Sequence, residues 1–381
     1  MCIRDSTKGK APNVKRTMAI DNESIVPQPG TFYLTDAITN HAVRMINSYG
    51  RQESPFFLYV AYTAPHWPLH AWPEDIAKYR GKYMKGWEAL RKERHQRMID
   101  MGLIDPAWVM SPRDEEAPAW TDVENKEEMD LRMSVYAAQI DRLDQGVGRI
   151  LKQIRENGEE DNTLVMFLAD NGGCHEGGPF GFDRRNNGAP CGTVDSYMSY
   201  GLSWANVSNT PFRRFKHWVH EGGISTPLIV RWPTVIKKGG QLTNEVGHII
   251  DLLATCADAA GATYPQIYKG KEIMPTEGKS LVPIFKTGSR KGHDVLYWEH
   301  CGNRAVRKGD WKIVSRTPAN EWELYDLASD RTEQHNLATE HPEKLKEMVV
   351  LYDAWAKHCG VLTPKELQEA ARKAKKKQKK K

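Results

Sequence analysis

The 381-residue sequence contains no apolar run of the length that crosses a membrane. Its first ten residues, MCIRDSTKGK, carry no hydrophobic signal region. The six cysteines are widely spaced, with no CxxC pair and no zinc-finger spacing. These features argue against a transmembrane protein and against a small zinc domain. The sequence is instead typical of a large globular protein, since 381 residues are enough to bury a hydrophobic core.

The net charge of +5 is concentrated at the carboxyl terminus. Residues 372–381 contain one Arg and seven Lys without an acidic residue, and subtracting these eight charges from +5 leaves −3 for the remaining chain. A basic surface of the kind that binds nucleic acid is therefore not predicted. We interpret the basic tail, 363–381, as a solvated end; binding to an acidic partner or an anionic polysaccharide is the alternative.

The most informative stretch runs from Thr163 to Gly178. Six apolar residues, 164–169, lead directly into Asp170, Asn171 and two glycines. A short continuous apolar run predicts a strand buried on both faces, and open α/β sheets bind ligands at the carboxyl ends of such strands. Asp-Asn-Gly is also ordinary turn chemistry, so a plain turn is the alternative.

Two further runs have the same layout. Residues 56–62 predict a second buried strand, followed by His66, and residues 228–232 predict a third, preceded by Lys216. Helical patterns lie between these runs. We therefore predict an α/β fold, with a central, largely parallel sheet sandwiched by helices.

The remaining segments predict the domain organisation. Residues 1–30 are predicted to be irregular, 31–287 to form the α/β domain with a charged insertion at 74–130, and 288–362 to form a small antiparallel sheet plus a helix. The predicted strands of this small subdomain are separated by turns such as Lys308-Gly309-Asp310. The helix is predicted at 342–358, with Gly360 as its stop.

Five segments, in order along the chain, resemble the arylsulfatase (sulfuric ester hydrolase) family of the alkaline-phosphatase-like superfamily. The resemblance covers about residues 30–362. The segments are FFLYVAYTAPHWPLHA (56–71), YAAQIDRLDQGVGRIL (136–151), DNTLVMFLADNGGCHEGG (161–178), NTPFRRFKHWVHEGGISTPLIVRWP (209–233) and EHCGNRAVRKGDWKIV (299–314).

The resemblance implies roles for four residues. Asp170 and Asn171 match the family's metal ligands, for which Ca²⁺ is the usual ion and Mg²⁺ the alternative. Lys216, five residues before E-G-G, matches the lysine on the substrate side. His66, in A-P-H-x-P, matches the histidine that binds sulfate and protonates the leaving oxygen. Where the family often has Arg shortly after E-G-G, this sequence has Ile224-Ser225.

The family's nucleophile is formylglycine, made from Cys or Ser in the motif C-x-[PA]-S-R. None of the six cysteines lies in that motif. The amino-terminal pair of metal-binding aspartates is also missing. The sequence therefore resembles a sulfatase lacking its amino-terminal part, with residues 1–10 foreign to the fold, and the chain as written is expected to be inactive.

The implied reaction is hydrolysis of a sulfate ester on a sulfated small molecule or polysaccharide, in a periplasmic or extracellular setting. The sequence does not indicate an oligomeric state. One alternative is a phosphoric ester hydrolase of the same superfamily, whose extra metal ligands would be sought at His248-x-x-Asp251 and His293-Asp294. The other is a non-catalytic binding protein that keeps the fold.

The parallel arrangement makes a geometric prediction. His66 and Asp170-Asn171 follow their strands, so they should meet at one edge of the sheet, and Lys216 should reach that edge through the long loop 174–215. Distances from Asp170 to His66 and to Lys216 should stay below roughly 12 Å, the span of one oxyanion and a metal ion.

Overall fold

The computed structural model describes residues 18–28, 30–362, 366, 369 and 372. The basic tail and residues 1–17 thus lie largely outside the described residues. The chain divides into two compact units, each made of three segments. The first unit comprises Met1–Leu90, Glu115–Asp161 and Cys174–Ala205, and the second comprises Arg91–Asp114, Asn162–Gly173 and Asn206–Lys381. Within the described ranges, no helix is long and apolar enough to cross a membrane.

The first unit is built on two packed helices, α1 (Leu34–Tyr49) and α4 (Lys126–Glu156). α4 begins where the Asn125 side chain accepts a hydrogen bond from the Glu128 amide, the usual way an exposed first-turn donor is satisfied. At its other end, the Asn157 side chain donates to the carbonyl of Ile46 in α1. The two helices are therefore joined by a hydrogen bond as well as by packing.

The shorter elements complete the chain. They are β1 (Met18–Ile20), β2 (Glu23–Ile25), α2 (Pro73–Ala77), α3 (Trp87–Asp100), a 3₁₀ turn (Trp120–Asp122), α5 (Gly201–Ser208), α6 (Glu221–Ile224), α7 (Asp251–Ala259), β5 (Ile267–Tyr268), β6 (Lys271–Glu272) and α8 (Val282–Thr287). β1 pairs with β2, and β5 with β6, as short antiparallel ribbons.

The second unit contains β3 (Val165–Leu168) and β4 (Leu228–Arg231), which pair antiparallel. The mixed α/β class is confirmed, but the prediction that 228–232 runs parallel to 164–169 is wrong. The Thr226 hydroxyl donates to the carbonyl of Ala169, so the chain enters β4 beside the end where β3 stops. A strand entered there must run back along its neighbour. Phe167 and Ile229 are 42% and 62% exposed, so burial on both faces is also wrong.

Residues 56–62, predicted to be a strand, do not form one in the structure. These residues alternate between half-buried and exposed, and Phe57 and Tyr59 are 77% and 80% exposed. The alternation shows that the segment is extended with one face packed. In the described part of the chain no neighbouring strand pairs with it, so the regular hydrogen bonds of a sheet are not formed.

The four-stranded carboxyl-terminal sheet is confirmed. β7 (Leu296–His300), β8 (Asn303–Lys308), β9 (Trp311–Ser315) and β10 (Trp322–Asp326) follow one another as an antiparallel meander. α9 (Pro342–Cys359) packs on one face through Met348 and Tyr352 and ends at Gly360, whose left-handed conformation suits glycine. The other face packs against Val219.

Candidate functional site

The second unit brings Lys216 to the turn that follows β3. The Lys216 amide donates to the carbonyl of Gly173 at 3.0 Å, and the Gly172 amide donates to the carbonyl of Gly223, also at 3.0 Å. Lys216 therefore lies beside the segment that contains Asp170 and Asn171. Three of the four residues singled out in the sequence share this neighbourhood.

Glycine is required on both sides of this contact. A Cβ at Gly172 would lie 1.8 Å from the carbonyl oxygen of Gly222. A Cβ at Gly222 would lie 2.2 Å from the carbonyl oxygen of Arg213, and one at Gly223 would lie 1.9 Å from that of Trp218. These separations are far below van der Waals contact. Gly172 thus allows the turn after β3 to approach Gly222, and Gly222 and Gly223 allow their own backbone to pack against the preceding loop.

The backbone around Lys216 has an unusual conformation. Arg214 and His217 have φ values of +61° and +93°. Residues other than glycine seldom adopt this region of φ. The Asn209 side chain accepts from the Gly173 amide and donates to the carbonyl of Arg214. It thereby ties the strained loop to the turn after β3.

Asp170 and Asn171 present the oxygen donors of the candidate metal site. Asp170 is exposed and Asn171 is half-buried. Among the described residues, no cation forms an ion pair with the Asp170 carboxylate. Carboxylate and amide oxygens suit a hard cation such as Ca²⁺, so the two residues fit this ion chemically. They supply two or three of its usual six to eight oxygen ligands.

The H-E-G-G turn (residues 220–223), which follows Lys216 in the chain, is anchored by buried charges. The Glu221 carboxylate lies 2.6 Å from the Lys312 ammonium and contacts the Arg331 guanidinium, and the Glu221 amide donates a hydrogen bond to the Glu333 carboxylate. Lys312 also lies 2.8 Å from Glu333. Burial alone would raise the pKa of Glu221, but the charges of Lys312 and Arg331 outweigh it and hold the pKa below its ordinary value.

A second polar group anchors the neighbouring residue, His220, which is fully buried. Its Nε2 lies 3.0 Å from the Glu323 carboxylate, which also accepts from the Tyr325 hydroxyl. Burial acts to raise the pKa of Glu323, but the hydrogen bonds from His220 and Tyr325, with the charge of Arg213, lower it to about 2. Glu323 is therefore held as a carboxylate at neutral pH.

His66 belongs to the first unit. Its Nδ1 lies 2.8 Å from the carbonyl of Trp67, which can only accept, so Nδ1 carries the proton in neutral His66. In the neutral ring, Nε2 is then the nitrogen that carries the lone pair. Trp67 is 5% exposed and donates through Nε1 to Glu176. The convergence of His66 with the other three residues stays a prediction.

The loop around His66 is held by a residue that the sequence did not single out. Arg132, on α4, donates to the carbonyls of Phe180, Phe182 and Ser199. The Arg132 guanidinium therefore links two parts of segment 174–205, the part around residues 180–182 and the part around Ser199. The Leu69 amide, three residues past His66, donates to the carbonyl of Met198 in the same segment.

The residues considered as extra metal ligands of a phosphoric ester hydrolase are engaged in hydrogen bonds and ion pairs within the protein. Asp251 is fully buried, and its carboxylate contacts the Arg290 guanidinium at 2.6 Å and His293 Nε2 at 2.7 Å. It also accepts from the amides of His248 and Lys279. These contacts use Asp251 to join the start of α7 to the following loop, which does not favour a second metal site there.

The sequence did not predict the buried charge cluster formed by Glu221, Lys312 and Glu333. The only signal for Lys312 is its position within the apolar run of β9, a strand buried on both faces from Lys312 to Ser315. A lysine in such a place needs a buried acidic partner. The partners are 91 and 21 residues away in sequence and could not be identified without the fold.

The chain matches two protein families. The model of the sulfatase family matches residues 6–262, and that of the carboxyl-terminal region of N-sulphoglucosamine sulphohydrolase matches residues 212–352. An uncharacterized sulfatase of Schizosaccharomyces pombe is 34% identical over 354 residues, covering 87% of this chain and 63% of the relative. The arylsulfatase of Klebsiella aerogenes is 30% identical, covering 68% of this chain and 57% of the relative.

A similar solved structure is that of BT4656 in complex with its substrate, D-glucosamine-2-N,6-O-disulfate. It has a TM-score of 0.57 and 19% identity, and covers 88% of this chain and 71% of that chain. This likeness concerns the fold alone. The chain spans between half and two-thirds of the length of the two curated relatives named above.

Proposed function

Because the chain belongs to the sulfatase family, we propose that it is a sulfuric ester hydrolase, which converts a sulfate ester and water into an alcohol and inorganic sulfate. The observation that supports this most directly is the hydrogen bond from the Lys216 amide to the carbonyl of Gly173. It places the backbone of Lys216 next to the turn that contains Asp170 and Asn171, and an oxyanion ester needs both a cation and metal-binding oxygens.

In this proposal the ammonium of Lys216 binds an oxygen of the sulfate group and neutralises part of its charge. His66 holds a proton on Nε2 and gives it to the leaving oxygen, while the Trp67 carbonyl keeps the ring oriented through Nδ1. Asp170 and Asn171 would hold Ca²⁺, or Mg²⁺ as the alternative. When bound, the ion supplies positive charge next to a sulfate oxygen.

The family's formylglycine does not fit this sequence. None of the six cysteines lies in C-x-[PA]-S-R, so we assign no covalent step to the residues described here. What these residues do is bind, orient and protonate. Contributions of this kind leave only a small rate in enzymes that have lost their nucleophile.

We propose a sulfated small molecule or polysaccharide as the substrate, and a periplasmic or extracellular setting. Support for the substrate class comes from the match to the carboxyl-terminal region of N-sulphoglucosamine sulphohydrolase. The phosphoric ester hydrolase alternative has less support, because Asp251 and His293 are engaged with each other and with Arg290. Nucleic acid is not proposed as a partner.

Calorimetric titration with Ca²⁺ and with inorganic sulfate tests the proposal without requiring turnover. We expect saturable binding of both probes, loss of sulfate binding in Lys216→Ala, and loss of Ca²⁺ binding in Asp170→Ala. Lys237→Ala, which removes an exposed lysine of the same unit, is the matched control and should bind both probes normally. Sulfate binding that survives Lys216→Ala unchanged would overturn the assignment of Lys216.

A further inference from the structure

A second cluster of possible ligands lies in the second unit. His217, His300 and Cys301 each offer one ligand atom, and these atoms all lie within 4.8 Å of one another. His217 directly follows Lys216, His300 is the last residue of β7, and Cys301 begins the turn into β8. His217 is half-buried and the other two are exposed, so solvent reaches the cluster.

The spacing is close to that of a tetrahedral metal site. Zinc–nitrogen bonds of about 2.0–2.1 Å and zinc–sulfur bonds of about 2.3 Å place neighbouring ligand atoms about 3.3–3.6 Å apart. The Cys301 Sγ lies 3.7 Å from His300 Nε2, which is nearly this separation. The ring of His217 is edge-on to that of His300, with centroids 5.1 Å apart at 83°. His217 offers the third ligand atom, within 4.8 Å of the other two.

The backbone that carries the cluster is held in place by Asn303. This residue is 1% exposed, and its side-chain amide donates to the carbonyls of both His217 and His300. Cys301 has φ +53°, and the Gly302 amide donates to the Glu299 carboxylate, which fixes the turn. Asn303 thus joins the two histidine-bearing segments from within the protein, where its amide would otherwise be costly to bury.

We propose that His217, His300 and Cys301 bind a zinc ion, with water as the fourth ligand. Imidazole nitrogen and thiolate sulfur favour zinc over Ca²⁺ or Mg²⁺, which prefer oxygen. This site is separate in chemistry from the oxygen donors Asp170 and Asn171, and it does not depend on the proposed sulfatase activity.

The sequence contains a natural control. His358-Cys359-Gly360, at the end of α9, repeats the tripeptide His300-Cys301-Gly302. Cys359 is also exposed. Among the described residues, however, only the cluster with His217 brings three such ligand groups together. If the tripeptide alone bound metal, both places would do so; if the third ligand matters, only the first will.

The test is a zinc titration of the 381-residue chain in competition with a chromophoric chelator, repeated with Co²⁺ to record the thiolate-to-metal absorption band. We expect one tight site, a fall in zinc affinity of more than about tenfold in Cys301→Ser and His217→Ala, and loss of the Co²⁺ band in Cys301→Ser. Cys359→Ser should behave as the unsubstituted chain. Thermal unfolding of each variant without metal shows that the fold is retained.

Two results would overturn the proposal. One is an unchanged zinc affinity in both Cys301→Ser and His217→Ala. The other is loss of the tight site and its Co²⁺ band in Cys359→Ser. Because the readout is metal binding in a competition assay, the outcome is independent of whether Lys216 binds sulfate.

Discussion

The Lys312 ammonium lies 2.6 Å from the carboxylate of Glu221, and both side chains are buried. Lys312 is on β9 and Glu221 is in the H-E-G-G turn, 91 residues earlier. Glu333, also fully buried, lies 2.8 Å from the same ammonium. The carboxyl-terminal sheet is therefore joined by charge to the segment that carries Lys216, and the sheet contributes to positioning that lysine.

Lys312→Met should strongly destabilise the second unit. Removing the ammonium leaves the buried carboxylates of Glu221 and Glu333 with less positive charge beside them. Such a loss costs about 3–5 kcal/mol of unfolding free energy. Lys308→Met, on the adjacent strand, is the control. Lys308 pairs with Glu347 at 2.6 Å but is 45% exposed, so its loss should cost at most about 1 kcal/mol. Equal urea midpoints for the two variants would contradict this reasoning.

Glu323 should make stability depend on acid. Its pKa in the folded protein is about 2 against an ordinary value of 4.5, so its contribution is fully present above pH 4.5 and is lost as pH falls towards 2. In Glu323→Gln, we expect a loss of a few kcal/mol at pH 7 and a smaller loss at pH 3, measured by urea unfolding at both pH values. A loss of the same size at both values would show that the carboxylate charge is not responsible.

Gly222→Ala should weaken the contact between the H-E-G-G turn and the Lys216 loop. The new Cβ would lie 2.2 and 2.3 Å from the carbonyl oxygens of Arg213 and Arg214, so backbone must move. We expect a cost of about 1–3 kcal/mol or more in thermal unfolding. Gly239→Ala is the control, because a Cβ there meets no atom within 4 Å. A melting temperature lowered equally in both variants would refute the explanation.

The 381-residue chain should not hydrolyse a generic aryl sulfate above background. The physical reason is that its sequence contains no C-x-[PA]-S-R motif from which the family's nucleophile is made. Release of the aryl alcohol, followed by absorbance with Ca²⁺ present, is the measurement, and Lys216→Ala should give the same background. Saturable turnover that disappears in Lys216→Ala would require a nucleophile among the residues of this chain.

The sequence predicted best those parts of the fold that depend on neighbours along the chain. The carboxyl-terminal meander was predicted because each strand pairs with the next across a short turn such as 308–310. α9 was predicted because its apolar stripe and Gly360 are local signals. The direction of β4 was not, because it is set by where the chain re-enters, through contacts such as that between Thr226 and Ala169.

The same distinction applies to the candidate sites. Asp170, Asn171, Lys216 and His66 were identified because each lies in a short segment with its own pattern. Lys312 and the zinc-site residue His300 were not, because their meaning depends on partners that lie far away in sequence. Long-range charge pairs and ligand clusters become visible only when the backbone brings them together.

The interleaving of the two units has a consequence for synthesis on the ribosome. β3 lies in the segment 162–173, yet its partner β4 begins at Leu228, after the last segment of the first unit has emerged. The nascent chain therefore carries the apolar β3 without its partner while more than fifty residues are added. Non-local pairing of this kind forms slowly and exposes a strand edge in the meantime. The growing chain is thus open to misassociation in this interval.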